Sequence, residues 1–297
     1  MHKPQHQRKR VTQRVGSAPP SPRYAARMSA PDAREWFSQR QAEQLFSART
    51  AETHAAFLLR RLHPGMHVLE CGCGPGTITV GLAAAIAPAM AIGIDLSGAS
   101  FRIGQALAMQ KHIPNVRFAI ADLYNLPYPP AFFDVVFSRN VFQHLKVPMA
   151  AMKEIRRVLK PSGMVALLDD DWGSLIFSPS DPILEQSIAL LRTHWKCRLG
   201  RPTFARRHRE LLRKAGFESV EASASVEFYG TLQATRYWGR TLADLLMAEV
   251  VRLPALKESW ATLSQLEAMA EAWKTWGEHP DAFWAMTACE AIAWNCP

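Results

Sequence analysis

The chain has 297 residues, 48% of them hydrophobic, enough for one large domain or two small ones around a sizeable core. Its net charge of +9 is concentrated at one end: seven basic residues and no acid precede Met28, which leaves +2 for everything after it. A nearly balanced body argues against a nucleic-acid surface, and five scattered cysteines with no secretory signal argue against a disulfide-stapled secreted protein.

Residues 1–30 are basic, rich in Gln, Ser and Pro, and poor in apolar side chains, which predicts a disordered tail. A dispensable extension, a mitochondrial or plastid transit peptide and a nucleic-acid arm are the three readings of it. We take the first, with a cytoplasmic protein beginning functionally at Met28. Residues 31–297 read as a single domain. Two helices are predicted within 31–63: one over 31–46, with Trp36 and Phe37 on an apolar face, and one over 51–62, capped by Thr50 and ended by Pro64 and Gly65.

The core is predicted over 64–172. An apolar strand at 67–70 ends in Glu70, and glycines follow at Gly72, Gly74 and Gly76 before a helix over 77–87. Strand, tight glycine loop and helix form the nucleotide-binding opening of an open α/β sheet. A dinucleotide fingerprint would place glycine at position 77, where Thr77 stands, so the spacing turns away from NAD. No charged residue lies between Cys71 and Ile94, but Pro75, Pro88 and four glycines interrupt the run, which excludes a membrane-spanning helix. Cys71 and Cys73 sit inside the loop without further ligands nearby, so no metal is expected.

A second strand over 90–95 ends in Asp95, 25 positions after Glu70, where an acid typically takes the ribose hydroxyls of a bound nucleoside; a helix-start carboxylate is the alternative. A helix over 97–111, a strand over 116–120 followed by Asp122, a strand over 132–138, a helix over 148–159 and a strand over 164–169 complete five strand–helix alternations. They imply a parallel sheet with right-handed crossovers. Beyond it, DDDWGS (169–174) is expected to leave the sheet at its ligand-binding edge. Helices are expected over 181–195, 202–215, 231–252 and 258–276, and strands over 217–228 and 282–294.

The glycine loop, Asp95, Asp122 with Leu126 and Pro127, FDVVFS (133–138) and EIRRVLKPSG (154–163) occur in an order that resembles the class I S-adenosylmethionine-dependent methyltransferases. Within that class the resemblance is to the ubiquinone/menaquinone-type (methyltransferase type 11) small-molecule family. It implies a Rossmann-like, seven-stranded, mostly parallel sheet with helices on both faces and an antiparallel last strand; the two helices placed here between the sixth and seventh strands depart from that fold and are expected to form a helical lid insertion. The lid is expected over 173–200 and 230–280, with the final strand at 282–294. The implied reaction is methyl transfer from S-adenosylmethionine to a small acceptor, which the nine tryptophans suggest is apolar or aromatic. An RNA or protein substrate reached through the tail, or a non-catalytic cofactor-binding role, are the alternatives. The oligomeric state is left open.

The resemblance also carries roles. Gly72, Gly74 and Gly76 let the loop approach the cofactor, Glu70 orients its amino-acid end, and Arg49 reaches its carboxylate. Asp95 takes the ribose, Leu96 packs on adenine, and Asp122 accepts from the adenine amine with Leu123 beside it. Ser138 and Asn140 face the methionine part. For the acceptor, His144 is the candidate base, because a neutral imidazole can take a proton near pH 7, or it only hydrogen-bonds at the pocket floor. Asp169 is a second candidate base, and Asp171 and Trp172 are candidate substrate contacts.

Overall fold

The computed structural model describes residues 43, 46–198 and 200–296, so the basic tail and most of the first predicted helix lie outside the described residues. Thr50 caps the helix that follows: its Oγ1 accepts from Thr53 N–H in a capping box, but Ala55 leaves helical geometry and splits the helix into α1 (Ala51–His54) and α2 (Ala56–Leu59).

Seven strands form one sheet: β1 Val68–Cys71, β2 Ala91–Asp95, β3 Val116–Ile120, β4 Phe133–Arg139, β5 Leu159–Ser178, β6 Val220–Tyr229 and β7 Phe283–Trp294. Their order is β3-β2-β1-β4-β5-β7-β6. β1 to β5 pair in parallel, while β7 runs antiparallel between β5 and β6. The central strands β1 and β4 are almost wholly buried, as continuous apolar runs covered on both faces must be. Helices α3 (Thr77–Ile86) and α4 (Phe101–Gln110) follow β1 and β2, and α5 (Pro148–Val158) follows the 3₁₀ turn Phe142–His144 after β4. The chain order reverses at β1, flanked by β2 and β4. The crevice outside the carboxyl ends of those strands is where such sheets bind ligands.

One expectation fails at β5. Residues 169–174 do not peel away from the sheet. Asp169, Asp170 and Asp171 pair with Cys289, Ala288 and Thr287 of β7, and the register shifts only between Asp171 and Ile176. The antiparallel neighbour supplies ladder partners well past the end of β4, so the strand stays extended and its three acids are buried.

β6 and β7 enclose α8 (Leu232–Met247), α9 (Glu249–Lys257) and α10 (Leu263–Glu278), which is three helices rather than the two expected, because Ala248 turns extended between α8 and α9. They pack with α6 (Pro182–Arg198) around an apolar core that includes Trp172, Trp195, Trp238, Trp273, Trp276 and Trp284. Trp273 is fully buried, and its indole N–H donates to Ser187 Oγ at 2.7 Å. The short helix α7 (His208–Lys214) closes the opposite face.

Candidate active site

β1 delivers the glycine loop to the switch point, and β2 holds it there. Gly72 and Cys73 donate to Ile94 O at 2.8 and 2.9 Å, and Gly74 N–H donates to Asp95 Oδ2 at 3.0 Å. Gly72 has φ +73°, and a Cβ there would lie 2.3 Å from Val141 Cγ2. A Cβ on Gly74 would meet nothing within 4 Å, so the backbone there borders an open recess. Leu96 (48% exposed) and Ile120 (68% exposed) stand at the same edge, two apolar side chains left uncovered beside Asp95. Asp122 Oδ1 accepts from Tyr124 N–H at 2.9 Å, which closes a turn just past β3.

Glu70 is buried and accepts from Thr79 Oγ1. Burial pushes its carboxyl up to about 8, against the opposing Thr79 hydrogen bond. A carboxyl in that state gains from a cation brought beside it, which suits an ammonium group. Cys71 and Cys73 are buried next to it, and burial pushes both thiols up, so neither supplies a thiolate.

Several predicted site residues are engaged elsewhere. Leu123 is packed into the core beneath the sheet rather than left open. Ser138 is fully buried, with Oγ donating to Cys71 O at 3.3 Å; it ties β4 to β1 instead of facing the recess. Asn140, with φ +55°, exchanges two hydrogen bonds with Asp170: its Nδ2 donates to Oδ2 at 2.6 Å and its Oδ1 accepts from the Asp170 amide at 2.8 Å. Asp169 is enclosed by donors, namely Val141 N–H, Gln143 N–H and His208 Nε2, each at 3.1 Å. It holds the turn after β4 in place. Asp171 accepts from Arg206 Nε at 2.6 Å and Gly173 N–H at 3.0 Å. Trp172 packs on Trp195 and Trp284, with ring centroids 4.9 and 6.4 Å apart, so it is core rather than a stacking platform. His144 stacks flat on Trp195, 5.5 Å between centroids, and so lies against the same aromatic core.

The sheet brings together a different set where β4 and β6 end, beside the middle of β5. Arg139 Nη2 donates to Asp170 Oδ1 at 3.3 Å and also to Glu227 Oε1. Tyr229 donates its hydroxyl to Glu227 Oε2 at 3.1 Å, and His54 Nε2 lies 3.9 Å from Glu227 Oε1. Burial holds His54 down at about 3, helped by the positive charges of Arg139 and Arg49, so its imidazole is neutral. Burial, then the Glu227 charge, raises Asp170, and burial raises Tyr229. Arg49 belongs to the same charge group. Burial and the neighbouring Arg139 lower it to about 10, its guanidinium lies over the Phe46 ring at 4.6 Å, and its carbonyl accepts from Thr77 Oγ1 at the start of α3. His54, Arg139, Glu227 and Tyr229 were missed from sequence. The available signal was a charged residue ending an apolar strand, at Arg139.

Residues 69–167 match the family model described as a methyltransferase domain, Methyltransf_11. An uncharacterised methyltransferase of Schizosaccharomyces pombe is 30% identical over 251 residues, spanning 80% of this chain and 88% of that protein. The chain belongs to the class I S-adenosylmethionine-dependent methyltransferases. A probable methyltransferase of Aspergillus luteorubrus is likewise 30% identical, over 83% of this chain and 92% of its own length. The YcgJ protein of Bacillus subtilis shares the fold, with a TM-score of 0.55 at 17% identity over 83% of this chain and 99% of that one. So does phosphoethanolamine N-methyltransferase 2 of Haemonchus contortus in complex with S-adenosyl-L-methionine, with a TM-score of 0.51 at 20% identity over 83% of this chain and 52% of that one.

The recess fits this methyltransferase's cofactor on its own chemistry: open space over Gly74, uncovered apolar side chains beside Asp95, and a buried carboxyl at Glu70 suited to an ammonium. Among the described residues, no group of three or more His, Cys, Asp or Glu side chains is placed to hold a metal, and no helix is long and apolar enough to cross a membrane.

Proposed function

We propose that this methyltransferase acts on a small organic acceptor seated where β4 and β6 end. One observation carries the reading: the linked polar group of buried Arg139 and Asp170 and half-buried Glu227 and Tyr229 lies where β4 and β6 end, the edge at which such sheets bind ligands. The cofactor supplies a sulfonium-bound methyl, and its transfer is an in-line displacement. Positioning therefore does most of the catalysis, up to about 7–11 kcal/mol for well-oriented reactants. In this reading Glu70 takes the cofactor's ammonium and Arg49 its carboxylate. Asp95 takes the ribose diol, Leu96 packs on adenine, and Asp122 takes the adenine amine. The tryptophans that suggested an apolar or aromatic acceptor are packed among themselves, so acceptor recognition passes to the polar group.

The test incubates the protein with methyl-tritiated S-adenosylmethionine and, separately, a small-molecule cell extract, total RNA and a protein extract. Label should enter the small-molecule fraction. Label in RNA or protein would favour a macromolecular substrate, and cofactor binding with no label anywhere would make the chain a non-catalytic binder.

A further inference from the structure

β4 is apolar until Ser138 and then buries a guanidinium. The Arg139 side chain is only 2% exposed. Its Nη2 is held by Asp170 and Glu227, but Nε and Nη1 are buried with no hydrogen-bond partner. Nε carries one N–H and Nη1 two, and the group cannot shed its charge. Buried charged donors left unmatched are costly, so they mark either a defect or a place kept for an acceptor of hydrogen bonds.

The chemistry of the donors says which kind. A guanidinium offers its free N–H groups as a planar fork that matches an oxyanion, and hydrogen bonds between charged partners are the strong ones. Position says whose anion it is. Arg49 is tied through its backbone carbonyl to Thr77, at the start of the helix that follows the glycine loop. Arg139 is turned away from β1, towards β5 and β6.

We propose that Arg139 anchors the acceptor through an anionic oxygen, so that the substrates of this enzyme are carboxylates or comparable oxyanions. Asp170 and Glu227 hold the guanidinium in place and leave Nε and Nη1 for the ligand. This rests on the acceptor binding at this edge, as proposed above.

The full chain, saturated with S-adenosylhomocysteine, is titrated calorimetrically with benzoate and octanoate, each beside its neutral amide. At least one carboxylate should bind about tenfold or more tighter than its amide, the size of effect that one charge-assisted hydrogen bond produces. Arg139→Gln and Arg139→Lys should bring the carboxylate down to the amide's level and leave S-adenosylhomocysteine binding unchanged. The wild-type comparison of acid and amide stands even if neither variant folds. Equal binding of acid and amide, or binding of neither to a protein that still takes S-adenosylhomocysteine, overturns the proposal. So does competition between carboxylate and S-adenosylhomocysteine, or loss of that nucleoside from Arg139→Gln, because the guanidinium would then serve the cofactor's own carboxylate. Failure of the wild type to bind S-adenosylhomocysteine sinks the reading of the whole site, a result separate from these.

Discussion

The two halves of the molecule use their buried side chains differently. The half built on β1, β2 and β3 keeps small residues at its edge and turns two apolar side chains outward, beside a recess. The half built from α6, α8, α9 and α10 hides six tryptophans from Trp172 to Trp284 in one apolar core. Bulk in the first half would obstruct a ligand, whereas bulk in the second holds helices against the sheet. An aromatic-rich segment beside an active site is therefore poor evidence for an aromatic substrate.

The largest effect that can break this contrast is in the aromatic core. Trp273→Ala should destabilise the protein by about 3–5 kcal/mol, since it removes a fully buried indole and strands Ser187. A thermal melt measures the loss. If the halves are as separate as their cores, the folded fraction should still bind S-adenosylhomocysteine with wild-type affinity. Asp95→Ala tests the other half. Losing a charged hydrogen-bonding group on the ligand should weaken calorimetric binding of S-adenosylhomocysteine by about 1.5–3 kcal/mol, with a smaller change in stability from the lost Gly74 bond. A variant that binds normally would remove Asp95 from the site.

Asp169→Asn divides positioning from catalysis. The amide cannot satisfy all three donors around it, so stability should fall by about 1–2 kcal/mol. The pH dependence of turnover should stay as in wild type; a lost basic limb would restore Asp169 as the base. The remaining effect is titrational. Glu70 has a folded pKa of about 8 against an ordinary 4.5, so the folded state binds the extra proton. Its contribution to stability is full below pH 4.5 and is lost as pH rises towards 8. His54, held down at about 3, acts with the opposite sign below pH 6.5. Subtracting the melting curves of Glu70→Gln from wild type isolates the Glu70 slope, which should be negative between pH 4.5 and 8. Cofactor binding should also release protons near pH 7, visible as a buffer-dependent calorimetric heat.

What was legible from sequence was local. The Thr50 cap, the glycine loop after an apolar strand and the acid ending β2 each depend on a few neighbouring residues, so spacing alone reveals them. The five strand–helix alternations predicted the parallel sheet, because period and punctuation are properties of short windows. The family resemblance added the antiparallel last strand and the donor of the methyl group. The acids of β5 were misplaced because their extended path depends on β7, more than 110 residues later in the chain. For the same reason only the folded sheet could select among acids, bases and aromatics. Arg139 and Glu227 are 88 positions apart and meet only once β4 and β6 lie in the same sheet. Trp172 and Asp169, plausible on an exposed loop, are spent on packing and on a turn once that strand is covered. Sequence determined the loop and the donor it serves, because those rest on backbone conformation within one segment. Tertiary structure alone decided which charged groups share the edge where β4 and β6 end, because burial and partnership belong to segments that meet only after folding.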